Sequence, residues 1–462
     1  MSLHDQPSEL LRLVMCEVGS PLDLYHLISA SAPCLAVFSL STELILYSVL
    51  QNSFPCELHR YATAILNVPT VVPASRALRK EKLIHFLTRS FKGIPFDFPT
   101  TRLEMVPLCR LHTRLVRLSD GFLDNTMHKF GVLGQGVAHP TQSSVETAKV
   151  VQSELEPAPR RAVQASKYER LRIHKALLRF ELYCKVFPMA EGYKDSSAYD
   201  AHEQFNLFLS QLTPWEVEGM ACIHQYFSSL LADAVDEIEE QIVNAVLAAP
   251  GVRLPPADGS MSEDTYADTD EDRLCHFGHS DLAIPYMHGE IGRFDYVTRM
   301  SHMSSGGFDF MHQLVGTDKA GRAELIRGCQ IRFGDFFPEA LSCSPYSGPQ
   351  TIQPEGSRED DQSYGNLGYY IFKPSTQDIY LKINLFNRRE HFLREFGYVF
   401  WDAERIRTPA VFDKLRQAGV LEVVESCRLY DQKDYQNFKK QLRGVMLPQN
   451  EMRRIENEFG SI

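Results

Sequence analysis

Long apolar runs are missing from this sequence. Its longest mainly hydrophobic stretches, 34–40 and 44–50, fall far short of the ~20 residues that cross a bilayer. Paired cysteines are missing too. Ten stand singly, at Cys16, Cys34, Cys56, Cys109, Cys184, Cys222, Cys275, Cys329, Cys343 and Cys427, and no Cys-x-x-Cys occurs. Such thiols read as reduced, small core residues rather than as a disulfide frame or zinc ribbon. A secretory leader is not recognisable, because Arg12 and Glu17 break the first apolar run. A cytoplasmic or nuclear protein outside the membrane is the expectation. Positive charge is in deficit, giving a net charge of −11, which argues against a nucleic-acid binder. No repeat recurs at a fixed period, which argues against a recognisable solenoid or propeller. The glycine pair Gly134-x-Gly136 lacks the lysine and the strand–helix setting of a phosphate loop.

What is present is helical periodicity. Apolar residues recur at threes and fours over most of the 462 positions. The expected fold is mainly α: an N-terminal short-helix bundle, then a large irregular helical body. One small β-hairpin is predicted at 369–385, where Tyr369–Phe372 and Ile379–Ile383 flank Pro374-Ser375-Thr376. The chain divides into a short-helix segment at 1–68, helices at 69–131, a linker or surface loop at 132–162 and helices at 163–248. An acidic loop at 249–273 and a mostly helical region at 274–462 follow. Helices are expected at 76–91, 100–130, 164–187 and 201–212. Thr213-Pro214-Trp215-Glu216 reads as a capping box opening a long helix to 247, broken near Asp233. A tail helix is expected at 435–459.

The most specific stretch is 6–23. Pro7 can occupy a first helical turn, and Glu9 places negative charge at the positive helix start. Leu10, Leu11, Val14, Met15 and Val18 follow at helical spacing. Gly19 reads as a left-handed terminator. Ser20, Pro21 and Asp23 then restart the chain as N-cap, N1 residue and first-turn acid, ahead of Leu24, Leu27 and Ile28. Pro7-Ser8-Glu9-Leu10-Leu11 followed by Pro21-x-Asp23-Leu24-x-x-Leu27 resembles the F-box pattern. It is closest to the divergent F-box-like segment at the front of many fungal proteins, in which a run similar to 28–33 follows the second helix. The resemblance covers roughly residues 6–40. The sequence departs from it at Gln6, where a leucine is usual, and lacks the closing Cys-x-x-Trp.

The resemblance implies docking to the Skp-type adaptor of a cullin-RING ubiquitin ligase. Pro7, Glu9, Leu10, Leu11, Val14, Pro21, Asp23, Leu24 and Leu27 would form the partner surface, and the body would select a target protein. A second reading is a helical regulatory or scaffold protein whose N-terminus is purely structural. An enzymatic reading rests on 275–312, which gathers Cys275, His276, His279, His288, His302 and His312 with Asp281, Glu290 and Asp309. No second cysteine pair and no His-Glu-x-x-His helix accompanies them, so no metal, cofactor or catalytic residue is expected. The basic residues of 76–91 and 100–130, and Arg322, Arg327 and Arg332, read as solvated faces. Trp215 and the knot 398–402 read as core anchors.

Overall fold

The computed structural model describes residues 6–69, 76–94, 96–132, 165–191, 199–254, 274–277, 300–329, 332–333, 335–343, 367–372, 393–420 and 445–459. Five short helices open the chain: α1 (Ser8–Cys16), α2 (Pro21–Ala30), α3 (Ala32–Leu40), α4 (Thr42–Ser53) and α5 (Cys56–Leu66). Longer ones follow: α6 (Arg76–Phe91), α7 (Arg102–Val132), α8 (Lys167–Val186), α9 (Ala201–Leu207) and α10 (Pro214–Leu247). The remainder is shorter: α11 (Gly307–Gly316), α12 (Lys319–Arg327), α13 (Phe337–Ser342), α14 (Leu367–Phe372), α15 (Ala403–Arg407), α16 (Pro409–Val420) and α17 (Gln449–Phe459). The fold is mainly α, as the periodicity indicates.

Strands are few among the described residues. β1 (Ala190–Glu191) pairs antiparallel with β3 (Arg332–Phe333), and β2 (Leu274–His276) pairs antiparallel with β4 (Met446–Pro448). Both pairings join distant segments, so neither is the hairpin expected at 369–385. The first arm of that hairpin is helical instead. Leu367–Phe372 forms α14, with Tyr369 buried and 6.3 Å from the Trp215 ring. Tertiary packing overrides the β-propensity of a short aromatic run. The second arm lies outside the described residues, as do most of the acidic loop and all of the expected linker at 132–162 except Val132, which ends α7.

α8 is the axis of the core. It packs against α5, α7, α10 and α11, and residues 176–184 are buried without interruption. A stretch covered on all sides cannot keep a continuous polar face, so charged residues in and beside it find partners instead. Arg179 donates to the Tyr61 hydroxyl at 2.8 Å and pairs with Glu216. Arg172 donates to the Phe400 carbonyl at 2.9 Å and bonds Asp402. The start of α8 is a capping box, with Ser166 and Glu169 as reciprocal partners.

α10 runs unbroken through Asp233, which points outward and leaves the helical hydrogen bonds intact. Within the region read as mostly helical, 274–462, α12 ends at Arg327 and Arg332–Phe333 is a strand. The supposed solvated cations are partly structural. Arg114 pairs with Asp309, Lys129 bonds Glu395 at 2.9 Å, and Arg322 grips Glu237 through two nitrogens at 3.0 and 2.8 Å. Trp401 is fully buried and donates its indole N–H to the Phe396 carbonyl at 2.7 Å.

Candidate functional site

Helices α1 to α3 form a small bundle on α4. Ser20 caps α2: its hydroxyl accepts from the Asp23 N–H at 3.1 Å and donates to the Asp23 carboxylate at 2.7 Å. Ser31 caps α3, accepting from the Cys34 N–H at 3.4 Å. Glu9 hydrogen-bonds its own backbone N–H and the Ser8 hydroxyl at the open helix start, which lowers its pKa. The stop between α1 and α2 is built differently from the expectation. Gly19 is not among the positive-φ glycines, and open space surrounds it. The end of α4 holds this turn instead. The Asn52 side-chain amide donates to the Cys16 carbonyl at 2.8 Å, and the Ser53 hydroxyl donates to the Gly19 carbonyl at 3.1 Å. Gly19→Ala therefore leaves the melting temperature unchanged or raises it slightly, because only the unfolded chain loses freedom. A fall of several degrees would show that the position needs glycine.

The motif residues divide between core and surface. Leu11 and Leu24 are each 2% exposed and belong to the same continuous core as the body. Pro21 and Leu27 are half-buried, while Pro7, Glu9, Leu10, Val14 and Asp23 face outward. Leu11 and Leu24 are thus fold residues, not free contacts for a partner. The amphipathic pattern itself foretells this, since one stripe of each helix must pack on the chain.

The exposed surface contains residues the motif does not nominate. Leu13, Leu22 and Tyr25 are 58%, 47% and 61% exposed, and Leu35 on α3 is also open. Leu10, Leu13 and Val14 occupy one side of α1 beside the buried Leu11–Met15 edge. Of the 17 exposed large hydrophobic residues among those described, nine fall between Leu10 and Tyr47. Isolated exposed leucines are ordinary, and these nine are spread over α1 to α4. The sequence signal was available: α1 and α2 carry apolar residues on more than one stripe, more than a single buried face uses.

The described part of the histidine-rich region does not converge. Cys275 and His276 lie on β2, His302 precedes α11 and His312 sits within it; His279, His288, Asp281 and Glu290 lie outside the described residues. Asp309 is held in ion pairs by Arg114 and Lys185. Among the described residues no group of three or more His, Cys, Asp or Glu side chains is placed to hold a metal ion. A pairing that sequence spacing cannot show is His224 Nε2 with Ser301 Oγ at 3.0 Å. Both residues are sealed, at 2% and 1% exposure, and burial drives the His224 pKa down to about 3. A neutral imidazole bonded to a hydroxyl inside the core is a packing element. No described helix is by itself long and apolar enough to cross a membrane; α3 and α4 reach the length only together and bend 100° at their junction.

No family model, no curated protein and no solved structure matches this chain.

Proposed function

We propose that α1 to α3 are an F-box-like docking face for the Skp-type adaptor of a cullin-RING ubiquitin ligase, and that the helical body selects a target protein. The observation that carries this reading is the crowding of exposed apolar residues onto these helices, on the stretch that bears the Pro7–Leu11 and Pro21–Leu27 pattern. Burial of such a surface in a partner supplies affinity, and a few central side chains dominate it. Leu10, Leu13, Val14, Leu22 and Tyr25 are the contacts. Leu11 and Leu24 shape the face from beneath. Glu9 and Asp23 set the helix starts. No chemistry is assigned to the chain.

A second reading has its own support. The burial of Leu11 and Leu24 in the shared core suits a helical regulatory or scaffold protein whose first helices are structural. Co-purification with the adaptor separates the two. The unaltered chain captures the adaptor, and Leu10→Asp and Leu13→Asp each weaken capture at least about tenfold. The melting temperature stays where it was, since both side chains already face water. Leu24→Asp is unsuited to this purpose because it places a charge in the core. Absence of capture by the unaltered chain overturns the adaptor reading and leaves the scaffold reading standing.

A further inference from the structure

We propose that the α4–α5 corner is a proton-sensitive clasp that holds the α1–α2 turn, and with it the N-terminal helices, onto the body. The corner is Phe54, 1% exposed, between the end of α4 and the start of α5. Histidines from two helices contact it, and a third stands behind one of them. His112 of α7 stacks edge-on against the Phe54 ring at 5.1 Å and hydrogen-bonds the Ser53 backbone. His59 of α5 hydrogen-bonds the Phe54 backbone and lies 5.1 Å from the Phe98 ring. His174 of α8 lies within electrostatic reach of His112. The Nε2 atoms of His59 and His174 are sealed from solvent without a hydrogen-bond partner. The same corner supplies Asn52 and Ser53, whose side chains tie down the Cys16 and Gly19 carbonyls. What loosens the corner loosens the turn between α1 and α2.

Protonation is opposed by the surroundings. Burial lowers the pKa of all three rings, to about 4 for His112 and His174. The charged groups facing them divide. Asp23 of α2 favours a cation at His112, Glu57 of α5 favours one at His59 and Asp120 of α7 favours one at His174, while Arg170 of α8 opposes it there. His112 and His174 also repel each other once charged. The sign follows from linkage. These rings bind fewer protons in the folded than in the unfolded state, so stability is complete above pH 6.5 and is lost as pH falls towards 4. The inference does not depend on the adaptor, because it concerns how the first helices are attached.

Two measurements on the full chain test it. Amide exchange, corrected for the intrinsic rate, is compared at pH 7.5 and 5.5. The opening of residues 8–30 rises about tenfold for each ring that must charge, while residues 319–327, which contain no histidine, hold their protection. Equal change in both regions, or no change at 8–30, overturns the proposal. Melting temperature is also followed from pH 7.5 to 5.0 for the unaltered chain and for the His112→Gln/His174→Gln variant. The variant shows a flatter pH dependence whatever its stability at pH 7.5. A parallel curve would mean that these rings are not the titrating groups.

Discussion

Glu169→Ala lowers stability by about 3–5 kcal/mol, the cost of stripping the partner from a buried charge. Glu169 is 1% exposed and its carboxylate is fully used. It accepts from the Ser166 N–H at 2.8 Å, the Asp402 N–H at 3.0 Å, and Arg405 Nε and a terminal guanidinium nitrogen at 2.7 Å each. Two tasks meet in one side chain: it closes the α8 capping box and anchors the segment that leads into α15. Its removal leaves the Arg405 guanidinium without its carboxylate and the Asp402 N–H without its acceptor. Arg172, which bonds Asp402 and the Phe400 carbonyl, and the Ser166 hydroxyl, which bonds Asp402, then hold the segment without it. Chemical denaturation measures the loss. Glu169→Gln keeps the shape but turns an amide N–H₂ towards cationic donors, so it too destabilises. The Glu169→Ala/Arg405→Ala double variant loses less than the sum of the two single changes, because neither member is left alone. Strict additivity would show that the pair is not coupled.

Gly397→Ala is the second large effect, at about 2–4 kcal/mol. The residue has φ +57°, a conformation that costs a side-chain-bearing residue about 1–2 kcal/mol. An added Cβ would also stand 2.7 and 3.1 Å from two atoms of the Phe122 ring and 3.2 Å from Phe400. Phe122 is 1% exposed and packs edge-on against both Tyr226 and Phe400, so it cannot retreat without opening the core. Overpacking of this sort costs about 1–3 kcal/mol. Combining Gly397→Ala with Phe122→Leu separates the two causes. Relief of the steric part leaves only the backbone penalty and the cavity left by the smaller side chain. A denaturation midpoint unchanged by Gly397→Ala would show that this turn relaxes freely.

Helices were legible in the sequence where their signals were local. The 76–91 pattern has the bounds of α6, and the Thr213–Glu216 restart opens α10, because caps and 3.6-residue periodicity lie within a few residues of each other. Asp233 misled, since an exposed acid in mid-helix is tolerated. Tyr369–Phe372 misled more deeply: the helix packs Tyr369 against Trp215 and brings Gly368 against the Tyr398 carbonyl, both far away in sequence. The candidate face was legible in part. The pattern located the right helices, yet which leucines face water depended on α4, whose Asn52 and Ser53 fix the turn between them. Leu13, Leu22 and Tyr25 fall outside the motif; the extra apolar stripe hinted at them, and the packing identified them.

The all-round burial of residues 176–184 of α8 has a consequence for genetics. Tyr61 of α5 shares Arg179 with Glu216 of α10, and α5 is one of the walls around α8. Removing the first 68 residues would therefore strip a wall from the central helix and expose its leucines. A deletion allele of that kind reports on folding before it reports on docking. The segment is not a cassette that can be cut out or transplanted, and alleles that separate docking from folding are substitutions at the water-facing positions Leu10, Leu13 and Tyr25.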